Sequence, residues 1–153
     1  MTVMKSIKGD ILSFKKGIIV HGCNSMGRFN KGLAKSIRET YPRVYMDYMY
    51  NFHTGRLKLG INVITKINDE LYIVSSIIQK YYGNDKNVRY VDYSAVEECF
   101  RKINEEFKDS DLPIYIPSIG AGLANGDWKI IQGIIEKSMG SNIHKIIHVL
   151  KDD

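Results

Sequence analysis

Three consecutive β-branched residues, Ile18-Ile19-Val20, stand between Gly17 and Gly22, followed only by His21. So short and so apolar a run suits a buried central strand, because nothing in it offers a solvent-facing side. Around it the chain alternates. Val3 to Lys8 reads as a first strand. Leu33 to Tyr41 reads as a helix, with Leu33, Ile37 and Tyr41 spaced by four. Pro42, tolerated in a first turn, opens a second helix carrying Val44, Tyr45, Tyr48, Met49 and Phe52, which Gly55 breaks. Asn62 to Lys66 and Leu71 to Ile78 read as strands joined by a polar turn at Asn68-Asp69. A polar loop from Tyr81 to Tyr90 precedes Asp92, which is placed to cap a helix running to about Phe107 with Val96, Phe100, Ile103 and Phe107 on one face. Pro113 to Pro117 is a short strand framed by prolines, and Ser118 to Gly126 a glycine-rich loop. Asp127 begins a helix through roughly Met139 with Trp128, Ile131, Ile134 and Ile135 apolar, and Ile143 to Leu150 closes with a strand. Strands alternating with helices imply an α/β sandwich around a largely parallel or mixed sheet.

A length of 153 residues, without repeats or linker-like runs, points to one domain spanning 1–153. No stretch approaches the ~20 apolar residues of a membrane span, and no signal-peptide run opens the chain, so a cytoplasmic protein is expected. The net charge of +5 favours anionic partners. The basic residues are scattered, however, the densest groups being pairs such as Lys15-Lys16, whereas a nucleic-acid face concentrates them. A small anionic ligand fits that balance, as does a solvated basic surface. Cys23 and Cys99 show neither CxxC pairing nor zinc spacing. Cys23 beside His21 suggests a thiol nucleophile, against which stands the frequency of small buried cysteines next to strands. Of the four histidines only His144 and His148 are four apart, and on a strand that places them ~13 Å from each other, too far to share an ion. No metal, no cofactor and a monomer are expected.

In α/β sheets ligands gather beyond the carboxyl ends of the strands, and the two richest loops, Gly22 to Gly32 and Ser118 to Gly126, both follow strands. In Ser118-Ile-Gly-Ala-Gly-Leu-Ala-Asn-Gly-Asp-Trp128 the glycines let backbone amides approach a ligand, successive amides form an anion nest, and the following helix adds partial positive charge. It is neither a Walker loop nor a GxGxxG fingerprint, and a tight turn capped by Asp127 is the structural alternative. In the other loop, Asn24 offers donor and acceptor to a ribose hydroxyl, and Arg28 and Lys31 can meet phosphate or face water. His21 reads either as a satisfied strand-end histidine or as a base. Asp10, after the first strand, is a turn residue or an acceptor for an exocyclic amine.

Taken in order, Gly9-Asp10-Ile11, His21-Gly22-Cys23-Asn24 and Pro117-Ser-Ile-Gly-Ala-Gly-Leu123 resemble the motifs of the macro domain family, and the similarity spans the chain. Gly122 to Trp128 is most similar to a compact branch of ADP-ribose-1''-phosphate phosphatases and terminal ADP-ribose glycohydrolases with phage-encoded members. The resemblance implies a three-layer α/β/α fold with a central mixed, mostly parallel sheet, and a pocket for ADP-ribose or a derivative. Asp10 would accept from the adenine amino group beside Gly9, Ile11 and Leu12. Asn24 would sit near the distal ribose, flanked by Gly22, Cys23, Ser25, Met26, Gly27, Lys31, Gly32, Leu33 and Gln79. Pro117, Ser118, Ile119, Gly120, Ala121, Gly122 and Leu123 would wrap the pyrophosphate. Lys80 matches the position of a nucleophilic lysine in glycohydrolase members, whereas the position of their catalytic aspartate is Ala124 here, the nearest acid being Asp127.

Three activities are then open. Hydrolysis of ADP-ribose-1''-phosphate would use a water oriented by Asn24, His21 or Asp127. Removal of ADP-ribose from protein or nucleic acid would engage Lys80. A non-catalytic binder would sequester an ADP-ribose-type signal. A separate possibility is an RNA-binding module, in which Tyr81, Tyr82, Tyr90 and Tyr93 stack bases. Nucleic acid is otherwise expected only as an ADP-ribosylated substrate.

Overall fold

The computed structural model describes residues 4–151, so Val3 of the expected first strand lies outside them. Six strands, β1 (Lys5–Lys8), β2 (Gly17–Asn24), β3 (Asn62–Asn68), β4 (Leu71–Gln79), β5 (Ile114–Ile116) and β6 (Ile146–Leu150), form one sheet in the order β1-β6-β5-β2-β4-β3. Every pairing is parallel except β3 with β4, so the sheet is mixed and mostly parallel as expected.

Side chains of β4 alternate in the strand period of two. Leu71, Ile73 and Ile77 pack with Ile37, Val44 and Tyr48 of α1 (Gly32–Thr40) and α2 (Pro42–His53). Tyr72, Val74 and Ile78 point the other way, with Val96, Phe100, Ile131 and Ile135 of α3 (Tyr93–Glu106) and α4 (Trp128–Met139). In β2, Ile18 and Val20 join the second group and Ile19 the first, so this strand is covered on both faces. These two cores make the three layers. Asp92 and Asp127 cap α3 and α4, accepting from Ala95 N at 3.0 Å and Lys129 N at 2.9 Å.

Two boundaries differ from the sequence reading. β2 continues through Gly22-Cys23-Asn24, which hydrogen-bond to β4, so these residues are strand and not loop. Residues 143–145 belong to a 3₁₀ turn (Gly140–Lys145) rather than to the last strand, which removes His144 from β6. Buried Ile143 accounts for the misreading, since it extends the apolar run of β6 without sharing its geometry. A second 3₁₀ turn, Ile11–Ser13, follows β1.

Candidate functional site

The sheet order opens a crevice at the ends of β2 and β5. From β2 the chain leaves to α1 on one face, and from β5 it leaves to α4 on the other, so the two exits diverge. A cavity of about 570 Å³ occupies that gap.

Its floor is the end of β2, with His21, Gly22, Cys23 and Asn24. One wall is the first turn of α1 with Asn30, Lys31, Gly32, Leu33 and Ala34, and the opposite wall is Pro117 to Gly120 with Gly122, Leu123 and Ala124. Ile78, Gln79, Tyr82 and Gly83 complete it from β4 and the loop beyond. No aspartate or glutamate lines it among the described residues, while Arg28 and Lys31 do. Lys31 precedes α1 without a capping side chain, and the first turn carries no acid. The opening amides of that helix therefore have no partner within it, and Gly32, Leu33 and Ala34, at the positive end of its dipole, line the cavity. Gly120, at φ +76°, adopts a backbone that L side chains rarely take, and a Cβ there would come within 3.0 Å of Val91.

The surrounding loops are tied to one another. Ala124 O accepts from Tyr90 N and Val91 N at 2.9 and 3.2 Å. Asn125, at φ 59°, donates to Asp85 O and Val88 O at 2.9 and 2.7 Å. The polar loop 81–90 is thereby fastened to the glycine-rich one. Gln79 is occupied locally, donating to Tyr81 O at 2.7 Å. Across the mouth, the Arg28 guanidinium lies 5.5 Å from the centre of the Tyr82 ring.

Asn24 is committed to loop shape. Its Oδ1 accepts from Met26 N at 2.9 Å, Tyr48 Oη at 3.1 Å and Arg28 N at 3.3 Å, and its Nδ2 donates to Arg28 O at 3.0 Å. One amide hydrogen remains for a ligand. His21 sits in a buried polar cluster, Nε2 at 2.7 Å from Ser75 Oγ and Nδ1 at 3.6 Å from Cys23 Sγ. Burial drives its pKa down to about 3, so the ring is neutral at ordinary pH and a weak base. Burial also pushes the Cys23 thiol far above its usual range, which argues against a thiolate nucleophile.

Of the predicted ligand residues, Gly22, Cys23, Asn24, Lys31, Gly32, Leu33, Gln79, Pro117, Ser118, Ile119, Gly120, Gly122 and Leu123 line the cavity. Ser25, Met26, Gly27 and Ala121 lie in its loops without lining it. Gly9, Asp10, Ile11 and Leu12 stand apart at the end of β1, where Asp10 accepts from Leu12 N at 2.9 Å. Three strand spacings separate β1 from β2, about 14 Å at the usual interval. Two residues expected in catalysis are not brought to the cavity. Asp127 caps α4, and Lys80 is exposed with Nζ 5.3 Å from the centre of the Tyr81 ring. Sequence reasoning did not pick out Asn30, Ala34, Ile78 or Gly83 for the lining. Asn30 and Ala34 flank the glycine at the helix start, which is the signal that pointed to their neighbours.

No family model matches the chain. Among curated proteins it is 29% identical over 150 residues to an uncharacterised 17.5 kDa protein of enterobacteria phage T4, covering 88% of each. It is 21% identical to the ADP-ribose 1''-phosphate phosphatase of Candida albicans, across 97% of this chain and 100% of that one. A solved protein of unknown function from Bacteroides thetaiotaomicron superposes with a TM-score of 0.87 at 23% identity, covering 97% of this chain and 98% of the other. The macrodomain of Thermus aquaticus DarG superposes with a TM-score of 0.78 at 17% identity, covering 99% of both chains. This chain has the macro-domain fold. A further match is Thermosipho africanus DarTG in complex with ADP-ribose, with a TM-score of 0.75 at 17% identity, covering 97% of this chain and 42% of that one. Among the described residues no helix is long and apolar enough to cross a membrane.

Proposed function

We propose that the cavity binds ADP-ribose or a close derivative, and that its reaction is hydrolysis of the 1''-phosphate of ADP-ribose-1''-phosphate. The observation that carries the reading is the convergence of the uncapped first turn of α1 and the glycine-rich loop on one cavity with two cations and no acid in its lining. Such a site favours a pyrophosphate or phosphate monoester over a neutral ligand. Asp10, about 14 Å away across the sheet, suits the other end of an elongated nucleotide. The match to the Candida albicans phosphatase over nearly the whole of both chains supports the choice of substrate.

Phosphoryl transfer asks mainly for positioning and for stabilisation of charge on the phosphoryl oxygens. Backbone amides of residues 32–34 and of Ser118, Gly120 and Gly122, with Arg28 and Lys31, supply the charge stabilisation, while those of Ile119 and Ala121 donate to Pro117 O and Ser118 O within the loop. The free hydrogen of the Asn24 amide is placed to orient a hydroxyl or water. The protein acts as a monomer in the cytoplasm, that of the host if it is phage-encoded, and nucleic acid enters only as an ADP-ribosylated substrate.

A second reading, a non-catalytic binder of an ADP-ribose-type nucleotide, is favoured by Ala124, which lines the cavity where glycohydrolases of the resembling branch carry an acid. Calorimetric titration with ADP-ribose, with AMP and ribose-5-phosphate as controls, tests the ligand, and phosphate release from ADP-ribose-1''-phosphate tests the reaction. Binding that needs the whole ligand, together with phosphate release, is expected. Binding without release leaves the second reading, and no binding removes both.

A further inference from the structure

Behind the glycine-rich wall lies a polar chain that the proposed reaction does not use. Ser118 lines the cavity, and its Oγ is 2.8 Å from Nε2 of His148 on β6. The other ring nitrogen, Nδ1, is 3.3 Å from Oγ of Ser6 on β1. The indole of Trp128, at the start of α4, stacks on the imidazole with centroids 4.3 Å apart and planes at 27°. His148 is buried, and its strand neighbours are Ser6 on one side and Ile116 on the other. The ring is therefore held on three sides.

The Ser118 hydroxyl has one proton and two directions to send it, to His148 or into the cavity. With Nε2 unprotonated, the proton goes to the imidazole and oxygen lone pairs face the ligand, which repels an anion. With a proton on Nε2, the imidazole donates to Oγ and the hydroxyl donates into the cavity. Which nitrogen carries the proton follows from the partner of the other one. Burial holds His148 below the usual histidine pKa, so only one nitrogen is protonated.

We propose that His148 is a positioning residue for the phosphate loop: protonated on Nε2, with Ser6 donating to Nδ1, it donates to Ser118 Oγ and turns the Ser118 hydroxyl toward the ligand's phosphate oxygens. This rests on the reading of the cavity as a phosphate-binding site. It adds a residue two strands away from β2, which itself touches no ligand.

Two measurements test it. Long-range proton–nitrogen correlation on ¹⁵N-labelled protein reads the His148 tautomer without ligand and then with ADP-ribose. Nε2–H in both is expected, and Nδ1–H in both overturns the proposal. Calorimetry with ADP-ribose then compares variants. His148→Leu and Ser118→Ala should each weaken binding about ten- to a hundredfold, the worth of one hydrogen bond to a charged group, and the double variant no more than either single one. His148→Gln, which sets an amide N–H where Nε2 stood, should bind within about twofold of the parent. Losses that add in the double variant, or a Gln variant as weak as the Leu variant, overturn it. Should His148→Leu fail to fold, Ser118→Ala and His148→Gln carry the comparison. If the parent binds no ADP-ribose, the functional reading fails, while the tautomer in the free protein still decides the relay.

Discussion

Replacing Asn24 by Ala separates a residue that shapes the cavity from one that only touches substrate. The substitution removes a donor to Arg28 O at 3.0 Å, an acceptor for Met26 N at 2.9 Å and for Tyr48 Oη at 3.1 Å, and a longer contact to Arg28 N at 3.3 Å. The Tyr48 hydroxyl is not orphaned, because it keeps its 2.6 Å bond to Asn24 O. Met26 and Arg28 are exposed, so water replaces part of what their backbone groups lose. At about 1 kcal/mol for each of the two good bonds, to Arg28 O and from Met26 N, the expected loss is about 2 kcal/mol. In a domain of this size that lowers the melting midpoint by about 4–8 °C. The loop that relaxes carries Arg28, Asn30 and Lys31 of the lining, so ADP-ribose affinity should fall about tenfold as well, the equivalent of 1.4 kcal/mol. Urea and thermal unfolding followed by circular dichroism, with calorimetry on the folded variant, measure both. Asn24→Asp provides the contrast. It keeps the acceptor but sets a carboxylate in a lining without acids, so affinity should drop further than stability does. An Asn24→Ala protein that melts within a degree of the parent refutes the shaping role.

Other outcomes follow from the same geometry. Asp127→Ala should lose about 1 kcal/mol of stability through the helix cap and leave ADP-ribose affinity within twofold, as read by urea unfolding and calorimetry. Gly120→Ala must hold a side chain at φ +76° against Val91 and Ile131, so a loss of about 1–3 kcal/mol is expected together with weaker ADP-ribose binding. The thiols of Cys23 and Cys99 are buried and shifted upward, Cys99 to about 12, so a thiol reagent at pH 8 should label neither until denaturant is added. His21 takes up a proton near 6.5 when unfolded and near 3 when folded, so protonation favours the unfolded chain. Stability should therefore fall with pH between those values, by up to about 1.4 kcal/mol per unit from this group, and His21→Gln should flatten the profile over that window.

The sequence exposed those parts of the fold that depend on local backbone chemistry. Asp92 and Asp127 were readable as helix caps because capping needs only a short acceptor beside an apolar-periodic segment. Gly120 was readable in a phosphate-type loop because positive φ selects glycine. The end of β2 was misread at Gly22, since glycine signals a turn unless a partner strand is known to continue beside it. Ile143 misled for the opposite reason, its apolar side chain serving a turn that packs on the core.

Pairings between distant segments were not legible at all. Asn24 with Tyr48, His21 with Ser75, and Ser118 with His148 and Ser6 each depend on which strands are neighbours, and sequence periodicity carries no sheet order. The same limit applies to residues singled out from a resemblance, only some of which reach the cavity. Residues 118–120 and 32–33 line the cavity because the fold brings the ends of β2 and β5 together there. Ala124 lines the cavity, and Asp127, the next acid along the chain, is already engaged in capping α4. If this cavity turns over a phosphate ester, the rate must come from amides, cations and a held water rather than from a carboxylate in the lining. Loss of turnover on replacing Arg28 or Lys31 would then exceed the loss on replacing Asp127, and the reverse order in phosphate-release assays would place an acid at the reacting atoms after all.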